Sequence, residues 1–95
     1  MAELLNPATE EVLADIPTAG VDELNSAVAA AKRAFPAWSA VSPSDRIHLL
    51  RRVADLIEEH GEELASLETR NVGKPIMDSR GEVQMVADVF HYYAG

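Results

Sequence analysis

The sequence contains no cysteine. That excludes disulfides, thiolate metal ligands and a thiol nucleophile from these 95 residues. Aromatic side chains are scarce as well, with one Trp, two Tyr and two Phe. Bases are outnumbered: eight Lys and Arg against sixteen Asp and Glu leave a net charge of −8. So acidic a chain lacks the basic stripe that displaces counterions from DNA or RNA, and anionic membrane surfaces disfavour it for the same reason. Long apolar runs are missing too. The longest, Ala27 to Ala31, is far too short to span a bilayer. Met1 to Pro7 have neither the basic start nor the apolar stretch of a secretory signal. A cytoplasmic protein that binds no nucleic acid and no membrane is the expectation.

What the chain does have is 47% hydrophobic and 25% charged residues, the composition of one small folded domain or a part of one. At this size, with no covalent staple, the chain must either pack very well or lean on a partner surface.

The punctuation predicts an N-terminal β-hairpin followed by four helices. Glu3-Leu4-Leu5 reads as a short strand and Asn6-Pro7-Ala8-Thr9 as a turn. Glu11 to Ile16 alternates, with Val12, Ala14 and Ile16 on one face, and completes a hairpin over about 3–16. A first helix is expected over 21–35. Val21, Leu24, Val28, Ala31 and Phe35 share a stripe there, and Pro36 should end it. Trp38 then reads as a linker residue anchored in the core. Ser42-Pro43-Ser44-Asp45 has the hydroxyl cap, first-turn proline and acid that open a helix over 43–60. A third helix is expected over 62–70, stopped by Gly73 and Pro75. A fourth spans 79–93, with Val83, Val86, Phe90 and Tyr93 toward the core.

Spacing alone supplies no active site. His48, His60 and His91 are too far apart in sequence to pair on one helix as zinc ligands do, so helix-end or surface roles are expected. Gly73-Lys74-Pro75 lacks the earlier glycine and the following hydroxyl of a phosphate loop. The adjacent acids Glu10-Glu11, Glu58-Glu59 and Glu62-Glu63 point in different directions on a helix or strand, so they read as solvated faces.

The order of these segments resembles the N-terminal part of the aldehyde dehydrogenase superfamily. The resemblance rests on Asn6-Pro7-Ala8-Thr9-Glu10-Glu11-Val12, Ala27 to Trp38, and Arg46-Ile47 through Ile57. It continues in Glu63-Leu64-Ala65, Leu67-Glu68-Thr69, Gly73-Lys74-Pro75 and Phe90 to Gly95. The string from Glu68 to Pro75 is most similar to the aminobutyraldehyde and related aminoaldehyde branch.

The resemblance implies an NAD- or NADP-dependent enzyme, dimeric or tetrameric, that oxidises aldehydes to carboxylic acids through a cysteine thiolate and a glutamate base. No catalytic or cofactor-binding residue of that machinery, and no Rossmann-like sheet, falls within this chain. It is therefore expected to be inactive and to bind no cofactor alone, with the remainder of the enzyme or a homo-oligomer as its partner. Two peripheral roles are implied. Leu4, Leu5 and Asn71 match the positions of a monovalent cation site, with Asn71 replacing an aspartate. Glu82 matches an acid of the aminoaldehyde substrate tunnel, and Met85 replaces another. A small helical interaction module, or one piece of a split enzyme, is the alternative expectation.

Overall fold

The computed structural model describes all residues, 1–95, as a two-stranded sheet and four helices. Strands β1 (Ala2–Leu5) and β2 (Val12–Ile16) pair antiparallel, with Ala2 opposite Ile16 and Leu4 opposite Ala14. The register then slips so that Leu5 faces Val12, which leaves Leu13 as the extra residue of a bulge. The slip alters the expected alternation. Leu13 is half-buried while Val12 and Ile16 stay exposed. The turn is held by the Asn6 side chain accepting from the Ala8 N–H at 2.9 Å, and Glu10 takes a positive φ of 64°.

Helix α1 (Val21–Ser39) begins where the Gly20 N–H donates to the Glu23 carboxylate at 2.9 Å. It does not stop at Pro36. The proline lies in the last turn, where it removes one donor, and the carbonyls beyond it find a partner elsewhere. The Arg46 guanidinium donates to the carbonyls of Trp38 and Ser39 at 3.1 and 3.0 Å. It also lies 5.4 Å from the centre of the Trp38 ring. Trp38 is thus helical and 46% exposed, not a buried linker anchor. No residue of α1 is buried, and Phe35 is 66% exposed.

Helix α2 (Pro43–Glu59) opens on Ser42, whose hydroxyl accepts from the Asp45 N–H at 3.1 Å. His60 links it to α3 (Gly61–Val72), which is longer at both ends than the sequence suggests and closes on Gly73 at φ 79°. Helix α4 (Ile76–Ala94) starts three residues early, because the Pro75 carbonyl already accepts from the N–H groups of Asp78 and Ser79.

Helix α4 packs along both α2 and α3, and the contacts use small residues. The buried residues are only five: Ala54, Ala65, Ser79, Ala87 and Ala94. Two residues expected to face the core, Val86 and Tyr93, are exposed, Tyr93 by 73%. Short side chains let helix backbones approach closely, which sends the larger residues to the rim.

The result is a slab of 47 × 37 × 15 Å. Its radius of gyration is 17.3 Å, against about 12 Å for a compact domain of this length. It exposes 7281 Å², where size scaling gives roughly 5,400 Å². If about half the excess is apolar, covering it contributes on the order of 20 kcal/mol gross, more than the whole net stability of an ordinary domain. The slab is one layer of a structure that needs two.

Candidate functional site

The densest polar arrangement sits where α3 ends and α4 begins. Gly73 reverses the chain and Pro75 starts the next helix, so Lys74 is held in the crook between them. Its ammonium donates to Glu68 of α3 at 3.1 Å and to Glu82 of α4. The two carboxylates, Glu82 foremost, raise the Lys74 pKa above its ordinary value by hydrogen bonding to the charged form. Beneath this bridge the Ser79 hydroxyl, fully buried, lies 2.9 Å from that of Thr69.

Two hollows flank the bridge. The larger, about 490 Å³, lies between α2, α3 and α4. Ile57, Leu64, Leu67, Val83 and Val86 form its apolar wall, with Glu68, Asn71 and Glu82 among its polar groups. The shallower, about 340 Å³, is lined by Lys74, Met77, Asp78, Gly81, Glu82 and Met85. Glu82 and Met85 therefore share a surface, and Glu82 stands on both hollows. Asn71 lines the larger one, whereas Leu4 and Leu5 lie apart on the hairpin and line neither. The hairpin does reach this end of α3. A Cβ added at Gly73 would lie 3.0 Å from the Pro7 Cγ.

Charged pairs tie the other helix faces. Arg80 grips Glu62 with two hydrogen bonds, of 2.8 and 3.0 Å, which lower the Glu62 pKa and raise that of Arg80. His91 on α4 meets Glu58 on α2 at 3.2 Å. No group of three or more His, Asp or Glu side chains converges as a metal site requires. No helix is long and apolar enough to cross a membrane.

The whole chain, residues 1–95, matches the sequence profile described as the aldehyde dehydrogenase family. The chain belongs to that family. A dehydrogenase of a 5-hydroxybutyrolactone derivative from Acinetobacter baylyi is 43% identical over 93 residues, covering 96% of this chain and 19% of that protein. The crystal structure of PnpE in complex with nicotinamide adenine dinucleotide superimposes with a TM-score of 0.94 at 46% identity, covering 99% of this chain and 20% of that one. A betaine aldehyde dehydrogenase variant from Staphylococcus aureus, solved with NAD+, gives 0.94 at 34% identity, again over 99% of this chain and 20% of its own.

The aldehyde dehydrogenase segment described here thus spans about a fifth of the length of these relatives. It corresponds to the N-terminal part of their fold: a two-stranded hairpin, then four helices. Holding a dinucleotide in the Rossmann manner takes a parallel strand, a glycine-rich turn and a helix N-terminus, whereas the sheet here is an antiparallel pair. Sequence patterns missed the partnership of Glu68, Lys74 and Glu82. The signal was the break between the helices: Gly73 and Pro75 fold the glutamates six residues before and eight residues after Lys74 onto its ammonium.

Proposed function

We propose that this chain forms the N-terminal helical layer of an NAD- or NADP-dependent aldehyde dehydrogenase and carries no redox chemistry of its own. The observation behind this is the open slab: five small buried residues, with the apolar face of α1 uncovered, in a shape that superimposes at 0.94 on an enzyme holding NAD. Hydride transfer and the thiolate chemistry then belong to residues outside these 95, with the cofactor held there. The remainder of the enzyme, in a homo-oligomer, is the partner that covers the slab. A cytoplasmic location accords with such a protein.

Within that reading the local roles are these. Glu82 and Met85 form part of the wall past which the aldehyde travels, supported by their shared hollow. The Leu4 and Leu5 carbonyls and the Asn71 side chain hold a monovalent cation weakly, since an amide oxygen offers less charge than a carboxylate. The contact of Pro7 on Gly73 supports this by bringing the hairpin turn against the end of α3. An aminoaldehyde substrate has the weaker support, because the acid expected at position 85 is a methionine.

The test is spectrophotometric. The purified chain, given aldehydes with NAD+ or NADP+, produces no reduced cofactor, and activity arises only when the remaining polypeptide is present. Sustained aldehyde oxidation by the 95 residues alone contradicts the proposal. Activity restored by mixing two separate polypeptides identifies a split enzyme.

A further inference from the structure

We propose that α4 is a middle layer, covered on its open side by an apolar, base-edged element from the rest of the enzyme. This rests on the reading of the chain as one layer of a larger protein. One side of α4 is already in use. Ser79, Val83, Ala87, Phe90 and Ala94 recur every three or four residues and turn toward α2 and α3. On the opposite side runs a second stripe at the same spacing, formed by Met77, Gly81, Met85, Val89 and Tyr92. Met77 is 72% exposed and Tyr92 76%. A helix that is apolar on two opposite faces is built to be buried on both.

Gly81 is an independent sign of the same cover. It lies inside α4, where glycine weakens a helix relative to alanine. Nothing in this chain requires it, since a Cβ there would meet no atom within 4 Å. A glycine so placed leaves room for another backbone to lie directly on the helix. Charge selects the occupant. Asp78 and Asp88 border the stripe and neither meets a base; Asp88 takes only the Gln84 amide, at 3.1 Å. A second copy of this chain would set the same acids, and a further net charge of −8, against them. The occupant that fits is apolar at its centre and carries Lys or Arg at its edges. This chain covers 20% of an enzyme that shares its shape at a TM-score of 0.94, so such a protein has chain to supply it. Met85 is on the Glu82 side of the stripe, so the wall proposed above borders this seam.

The test uses the whole enzyme that contains this chain, and its native methionines. Hydrogen peroxide is added, and sulfoxide formation at Met77 and Met85 is followed by mass spectrometry beside the urea-unfolded enzyme. Both residues oxidise about tenfold more slowly in the folded enzyme, because a covered side chain reacts only when its cover opens. Oxidation at the unfolded rate overturns the proposal. Variants at Gly81 read the close approach: Gly81→Ala lowers the urea midpoint and Gly81→Leu lowers it further. A raised midpoint in Gly81→Ala, the gain of a better helix former in open space, also overturns it.

A photocrosslinker in place of the Tyr92 side chain identifies the occupant. Capture of a peptide from the rest of the enzyme supports the proposal, and capture of a second copy of residues 1–95 overturns it. An enzyme that protects both methionines yet oxidises no aldehyde defeats the functional proposal and leaves this one standing. An active enzyme whose two methionines react freely defeats this one alone.

Discussion

Pro7 rests on Gly73, so that a β-carbon on the glycine would sit 3.0 Å from the proline ring. This one contact joins the hairpin turn to the end of α3. Gly73 is also the residue with φ 79°, where a side chain is strained whatever the space around it. Gly73→Ala therefore meets two penalties, and a loss of about 1–3 kcal/mol is expected. Urea unfolding followed by circular dichroism measures it. Faster amide exchange in β1 and β2 shows that the hairpin has come loose. Pro7→Ala relieves the crowding without touching the backbone strain, so it restores only part of the loss in the double variant.

Arg46 is the clasp of α1. It caps the last carbonyls and covers the Trp38 ring, while its Nε is buried without a partner. Both bonds leave one nitrogen, Nη2, so lysine keeps the charge but, on a different stem and without a flat group to lay over Trp38, loses the stacking and the reach. Arg46→Lys is expected to speed amide exchange in the last turns of α1 and leave α3 and α4 unchanged. Equal exchange along α1 in both forms would mean that the helix end needs no clasp.

The charged pairs set a pH window. Arg80 lowers the Glu62 pKa, so that pair stabilises the fold above the carboxylate's ordinary range and the contribution is lost as pH falls through the lowered value. Lys74 is shifted the other way. Its contribution is complete below the ordinary lysine range and disappears as pH rises through the raised value. Glu62→Gln should flatten the acid limb of a stability–pH curve and leave the alkaline limb alone, and Lys74→Met the converse. Both effects should shrink in 0.5 M salt, the Arg80–Glu62 pair more than the half-buried Lys74, because screening acts most on exposed charges.

Helix approach depends on small residues. Ala54, Ala65 and Ala87 are wholly inaccessible where α4 meets its neighbours. Ala87→Leu forces the helices apart at an estimated cost of about 1–3 kcal/mol, read from the urea midpoint, despite the more hydrophobic side chain. A stabilised Ala87→Leu protein would show that the interface has room the structure lacks.

Much of the layout could be read from caps and stops. Ser42 with Pro43 marks the start of α2, and Gly73 with Pro75 divides α3 from α4, because these signals act within a few residues. The faces were harder. The stripe of α1 and the pair Val86 and Tyr93 have the periodicity of core residues yet lie open, since periodicity reports what a helix is built to bury and not whether the covering surface is at hand. Pro36 was misleading because in the last turn it withdraws a single N–H, the one that would reach the Lys32 carbonyl, and the helix carries on to Ser39. Of the site, Glu82 and Met85 came from family resemblance, while Lys74 became visible only when the helix break folded it between two glutamates.

The central claim is that this chain is one open layer, completed by a surface it does not itself supply. Differential scanning calorimetry of the isolated 95-residue chain, beside near-ultraviolet circular dichroism, tests it most directly. The account predicts a broad transition of low enthalpy with weak aromatic signals. A sharp, two-state melt of a monomer, with the enthalpy of a well-packed domain of this length, would contradict it.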